Sequence, residues 1–153
     1  MIRILVQQDP IDLAAEMARI EAAEGAGAIA TFTGLVRRDA DGADGTGGVG
    51  TLELEHYPGA TEAALTRLVE HAQQRWSLGA ATIVHRVGPM SPGERIVFVA
   101  TAAPHRAAAL EACAYLIDRL KTDAPFWKRE MRDGIARWVE ARDTDNAAAA
   151  RWG

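Results

Sequence analysis

The sequence predicts a single α+β domain: a largely antiparallel sheet with flanking helices. Two observations carry that prediction. Apolar residues switch from a period of two to a helical period of about 3.6 and back, in the order β-α-β-β-α-β-β-α-β-β. Strands that arrive in pairs between helices favour antiparallel pairing, whereas a doubly wound nucleotide-binding sheet alternates strand and helix singly. A third sign is local: Asp133-Gly134 between two strand-like runs is a strong hairpin signal.

Residues 2–7 (Ile-Arg-Ile-Leu-Val-Gln) read as the first strand. Asp9-Pro10 then predicts an N-cap followed by proline at the first helical position, and Leu13, Met17 and Ile20 continue one face toward Gly25-Ala-Gly27. Residues 28–36 are short, β-branched and strand-like. From 37 to 50, five glycines and three aspartates leave no periodicity, which predicts a mobile loop. That loop lacks Gly-Lys-Ser/Thr and a following helix, so it is no phosphate-binding P-loop.

Thr51–Tyr57 alternates cleanly as a half-buried strand, broken by Pro58-Gly59. Leu65, Leu68, Val69, Ala72 and Trp76 follow at helical spacing. Residues 81–87 and 95–101 read as strands joined by a Pro89–Gly93 turn into a hairpin-like pair. Pro104 opens an Ala-rich helix with Leu110, Cys113, Ala114, Ile117 and Leu120 on one face. It must stop before Pro125, because the residue ahead of a proline is pushed out of the α region. Phe126–Met131 and Ile135–Glu140 form the last strand pair, and 144–153 is a polar, Ala-rich tail.

Composition narrows the function classes. The chain has 153 residues, 48% hydrophobic and 25% charged, ordinary values for one globular domain, here 1–153. No apolar run approaches the ~18 residues of a membrane span, and the N-terminus reaches Gln7 and Asp9 too soon for a signal-peptide core. The single cysteine, Cys113, excludes an internal disulfide, and a cytoplasmic protein is expected. A net charge of −4 argues against a general nucleic-acid binder. Yet residues 118–142 hold seven Lys/Arg and five Asp/Glu, net +2, leaving −6 elsewhere. A local positive site in an acidic protein suits a small anion.

The four histidines (56, 71, 85, 105) stand far apart, without metal-ligand spacing, so no metal and no cofactor are expected. No Gly-x-Ser-x-Gly signature supports hydrolysis by a serine nucleophile. The basic groups offer more. His105-Arg106 sits at a helix start, where free N–H groups and the dipole already favour anions. Fifteen of the seventeen basic residues are Arg; the two lysines are Lys121 and Lys128, seven apart. Arg is effectively never deprotonated, whereas a desolvated Lys beside another cation lowers its pKa toward acid–base use. Lys128 lies between Phe126-Trp127 and Arg129, which fits that environment, and fits equally a solvated basic edge strand.

Six segments, taken together, carry a resemblance. They are Phe32-Thr-Gly-Leu-Val-Arg37, Leu54-Glu-His-Tyr-Pro-Gly59, His85-Arg-Val-Gly88, Pro104-His-Arg106, Lys121-Thr-Asp-Ala-Pro-Phe-Trp-Lys-Arg-Glu130 and Trp138-Val-Glu-Ala-Arg142. In this order they resemble the large, catalytic subunit of molybdopterin synthase, from about residue 2 to 152, with the Lys121–Glu130 segment the most specific. The resemblance implies an α/β-hammerhead type of fold. It also implies a sulfurtransferase reaction, adding two sulfurs to cyclic pyranopterin monophosphate to give molybdopterin. The sulfur arrives as a thiocarboxylate on the C-terminal glycine of a small ubiquitin-like subunit, and a homodimer of large subunits binds one small subunit at each end.

By the same resemblance Lys121 lies beside the incoming glycine and Lys128 is the second required lysine. His105 and Arg106 match an anion-binding pair suited to the substrate phosphate. Arg37, with Leu35 and Val36 beside it, lines the pocket; Arg129 and Glu130 extend the Lys128 wall. Arg142 matches an arginine reaching in from the dimer mate. The loop 38–50 resembles no family pattern, and Ala60 and Ala103 stand where larger or polar residues are expected. No ubiquitin-like segment is fused here, so the sulfur donor is expected to be a separate protein. Two other classes stay open on residues alone. One is a Schiff-base lyase using either lysine; the other is a docking module for a ubiquitin-like partner.

Overall fold

Every residue of the run Ala80–Arg86 is buried, and the reason sets the architecture. The computed structural model describes residues 1–37, 51–132, 135–139, 148–150 and 152, with the backbone alone for 128–132 and 135–139. Its elements are β1 (Ile2–Gln7), α1 (Leu13–Glu21), β2 (Ala28–Leu35), β3 (Thr51–His56), α2 (Ala60–Trp76), β4 (Ala80–Arg86), β5 (Gly88–Met90), β6 (Arg95–Ala103), α3 (Arg106–Asp123), β7 (Phe126–Arg132) and β8 (Ile135–Val139). They form two four-stranded sheets, ordered β1-β4-β6-β2 and β5-β3-β7-β8. The β1–β4 ladder is parallel and the other described ladders are antiparallel.

Alternate residues of β4 and β6 enter two different cores. Ala80, Val84, Phe98, Ala100 and Ala102 join Ile20 of α1 on one face of the first sheet. Ala81, Ile83, Val97 and Val99 join Leu65, Leu68 and Val69 of α2 and Ala112, Leu116 and Leu120 of α3 on the other. Covered on both faces, these central strands lose the polar/apolar alternation of a half-exposed strand. Fully burying one leucine such as Leu116 contributes about 1.5–3 kcal/mol, so the α2–α3 layer is a main source of stability.

The α+β class and the antiparallel bias match the expectation, with four local differences. Helix α1 is capped by Asp12, whose carboxylate accepts from the Ala15 N–H at 3.1 Å, and not by Asp9. The Gln7 side-chain amide donates to the carbonyls of Asp9 and Pro10, at 3.1 and 3.3 Å, and so holds them in a turn off β1. The helix stops at Glu21, short of the expected Gly25.

The connection from β4 to β6 is not a plain turn either. Although β4 and β6 pair as expected, Gly88–Met90 forms a strand that crosses to the second sheet and pairs with β3. Pro89, with no N–H to donate, is tolerated because β5 is an edge strand. Finally, α3 begins at Arg106 with His105 as its N-cap, two residues after the expected Pro104 opening, and ends at an extended Ala124 before Pro125. The loop 38–50, the Asp133-Gly134 turn and most of the tail lie outside the described residues; 148–150 are helical. Among the described residues no helix is long and apolar enough to cross a membrane.

Candidate active site

Helix α3 sets the geometry of the candidate residues. Arg106 opens it and Lys121 stands in its last turn. Fifteen residues at about 1.5 Å rise put them roughly 22 Å apart. The helix folds back over β6 and β2, so its C-terminal turn lies toward the Arg95 end of β6, where β2 also ends at Leu35. Leu35, Val36, Arg37 and Lys121 therefore share one end of the first sheet. His105 and Arg106, both exposed, occupy the opposite end.

The first group is fixed by backbone bonds. Val36 is buried, its N–H donates to the Glu94 carbonyl at 2.9 Å, and its own carbonyl accepts from the Gly93 N–H at 2.8 Å. Those bonds leave Leu35 55% exposed on one side and Arg37 exposed on the other. Glu94 is itself anchored: its carboxylate accepts from the Ser91 N–H and from Arg86 Nη1, the latter at 3.3 Å. The Ser91 bond, ahead of Arg86, holds the Glu94 carboxyl below its ordinary value of 4.5. Arg86 is buried and also donates twice to the Gln8 carbonyl, from Nε at 3.1 Å and Nη2 at 2.8 Å.

Lys121 is followed by the Ala124–Phe126 bend and then by β7. The register sets Lys128 opposite Leu54, Arg129 opposite Glu53 and Glu130 opposite Leu52. Leu54 and Leu52 are both buried. Lys128 thus pairs with a core position on a strand flanked by β3 and β8, which is not the register of an edge strand. Arg142 lies outside the described residues. The exposed indole of Trp127 meets the Tyr57 ring edge-on, with centroids 5.9 Å apart.

Two residues at the bend carry no local sequence signal for a role there. Thr61, fully buried in the first turn of α2, donates from Oγ1 to the Pro125 carbonyl at 2.9 Å and accepts there from the Tyr57 N–H at 3.0 Å. His85 on β4 stacks on Phe126, with centroids 3.9 Å apart and planes 21° from parallel. Its Nδ1 lies 2.8 Å from the Arg86 carbonyl and donates to it. His85 is buried. Cys113 is buried in the core cluster, and burial pushes its thiol up to about 11, which excludes a thiolate nucleophile at neutral pH. Among the described residues no group of three or more His, Cys, Asp or Glu could hold a metal.

These features describe a two-sheet α+β protein whose candidate basic residues stand at the two ends of one helix. A family profile described as MoaE protein matches residues 6–123. The molybdopterin synthase catalytic subunit of Cereibacter sphaeroides is 49% identical over 151 residues, covering 98% of this chain and 99% of that protein. The solved structure of the molybdopterin biosynthesis MoaE protein from Burkholderia ambifaria MC40-6 superposes with a TM-score of 0.83 at 47% identity, covering 99% of this chain and 98% of the other. A protein–protein complex of subunits 1 and 2 of molybdopterin-converting factor from Helicobacter pylori 26695 contains a chain of like fold, with a TM-score of 0.69 at 20% identity and coverage of 92% and 91%. The chain belongs to the MoaE protein family, whose members include molybdopterin synthase catalytic subunits.

Proposed function

We propose that this chain is the catalytic, sulfur-transferring subunit of a molybdopterin synthase, acting in the cytoplasm in molybdenum cofactor biosynthesis. It moves two sulfurs from the thiocarboxylated C-terminal glycine of a small ubiquitin-like subunit to cyclic pyranopterin monophosphate. The observation that carries the reading is the likeness to molybdopterin synthase catalytic subunits along 98% of the chain. A small-subunit partner is further supported by the two-subunit complex of like fold.

In this reading the thiocarboxylate sulfur bonds to a side-chain carbon of the pterin as a C–O bond at that carbon breaks and its oxygen leaves with a proton. Water then cleaves the acyl C–S bond, freeing the carboxylate and leaving the sulfur on the pterin. Lys121 and Lys128 exchange protons in those steps, a task for which arginine is unsuited. His105 and Arg106 hold the substrate phosphate with charge-assisted hydrogen bonds at the start of α3. Leu35, Val36, Arg37, Arg129 and Glu130 line the same pocket. The roughly 22 Å along α3 is too long for Arg106 and Lys121 of one chain to grip one small substrate. A pocket shared by two copies joins Lys121 of one to His105 and Arg106 of the other, with Arg142 also crossing between copies. The assembly is a homodimer of this chain within a heterotetramer.

The test is reconstitution with a thiocarboxylated small subunit and cyclic pyranopterin monophosphate, reading dithiolene formation. Product in the wild type and none with Lys121→Arg, small-subunit binding intact, supports the reading. Activity of Lys121→Arg within about twofold of wild type removes Lys121 from the mechanism. A borohydride-trapped adduct with a carbonyl substrate and no dithiolene favours a Schiff-base lyase instead.

A further inference from the structure

We propose that Thr61 and His85 are positioning residues for the Lys121–Lys128 pair, because together they fix the Ala124–Phe126 bend that joins the two lysines. The proposal rests on the reading above, in which both lysines act.

The bend has little support of its own. Ala124 is already extended, with φ −86° and ψ 130°. Its N–H reaches the Leu120 carbonyl at a long 3.4 Å, and the Phe126 N–H turns back to Ala124 at 2.9 Å. Pro125 has no N–H to give. Sequence alone therefore leaves the angle between α3 and β7 loosely defined, and with it the placement of Lys128 relative to Lys121.

Two contacts from distant elements remove that freedom. Thr61 is 64 residues from Pro125, yet its hydroxyl spends its hydrogen on the Pro125 carbonyl and a lone pair on the Tyr57 N–H. This relay ties the bend to the turn between β3 and α2, with the Thr61 side chain shielded from water. From the other sheet, the His85 imidazole lies flat on Phe126. The bond from Nδ1 to the Arg86 carbonyl sets the plane of that ring. One contact thus holds a carbonyl and the other holds the next side chain, so the bend can neither slide nor rotate. Lys121 lies three residues before Ala124, and Lys128 two after Phe126.

Thr61→Val preserves shape and removes the hydroxyl; Thr61→Ser keeps the hydroxyl. In the reconstituted enzyme, Thr61→Val is expected to lower kcat about tenfold to a hundredfold, the scale of a small misplacement of reacting groups. KM and small-subunit affinity should stay within about twofold, and Thr61→Ser should restore kcat. A second readout needs no activity. Lys121 and Lys128 are the only lysines in the chain, so a short amine-specific cross-linker read by mass spectrometry reports their proximity.

The link should form in wild type, Thr61→Ser and His85→Phe, which keeps the stack. It should fall several-fold in Thr61→Val and His85→Ala, at temperatures where each variant is folded. If Thr61→Val does not fold, the His85→Ala and His85→Phe pair decides. Wild-type kcat and cross-linking in Thr61→Val and His85→Ala overturn the proposal, as does absence of the link in wild type. If instead Lys121→Arg and Lys128→Arg both turn over normally, the two-lysine reading fails while the cross-linking still judges the bend.

Discussion

A Cβ on residue 27 would stand 2.1 Å from the carbonyl oxygen of Pro104. Only glycine allows that approach, because the obstructing atom is backbone and no rotamer change relieves it. The same residue donates its N–H to the Ala103 carbonyl at 2.9 Å. The entry to β2 is thereby locked against the entry to α3, one residue before the His105-Arg106 pair.

Gly27→Ala should therefore destabilise the protein by about 1–3 kcal/mol, the usual scale of overpacking, and displace the start of α3. Urea unfolding measures the first effect. A midpoint equal to wild type would mean that the two segments separate at little cost and that the contact places nothing.

Arg106→Ala should raise the apparent KM for the pterin substrate by the equivalent of roughly 1.5–3 kcal/mol, one charge-assisted hydrogen bond. The melting temperature should hardly change, since Arg106 is exposed in the first turn. Unchanged KM with marked destabilisation would make it a structural residue.

The shared pocket makes a sharper prediction. Lys121→Ala chains mixed with His105→Ala/Arg106→Ala chains should regain activity on subunit exchange. A mixed dimer then holds one pocket with both defects and one with neither. With half the dimers mixed and half their pockets intact, recovery reaches about a quarter of wild type. Background activity, with exchange confirmed by mass spectrometry, would confine each pocket to a single chain.

Glu94 gives a pH dependence of known sign. Its folded carboxyl is held below the ordinary 4.5, chiefly by the Ser91 N–H. Its stabilising effect is therefore complete above that ordinary value and is lost as pH falls through the lowered one. Glu94→Gln should be less stable than wild type at neutral pH, and the gap should close in acid. A gap that widens as pH drops would contradict the assignment, and thermal melts across the acid range decide it.

Much of the fold was legible because it rests on periodicity and on breakers. The Ala124-Pro125 stop and the strand at 51–57 follow from local rules that tertiary structure had no reason to override. Gly88-Pro89-Met90 was not legible as a strand: it looks like a turn until Leu52–Leu54 lies beside it. Asp9-Pro10 outshone Asp12 as a cap, because the competing Gln7 side-chain bonds are invisible in a linear pattern. At the candidate site, the basic residues stood out in the sequence by type and motif as residues to examine. Thr61 announced nothing, and His85 only its place in a motif, since what they hold is far away in sequence.

The parallel ladder between β1 and β4, Ile2 against Ala81 through Gln7 against Arg86, has a consequence in time. A ribosome adding about 5–20 residues per second needs roughly 4–16 s to pass from the first strand to its partner. Throughout that interval Ile2, Ile4 and Val6 have no ladder to join, and the β6 beyond is not yet made. Strand β1 is thus an apolar segment held in waiting. The nascent chain must keep it from other partners until residue 86 has cleared the exit tunnel.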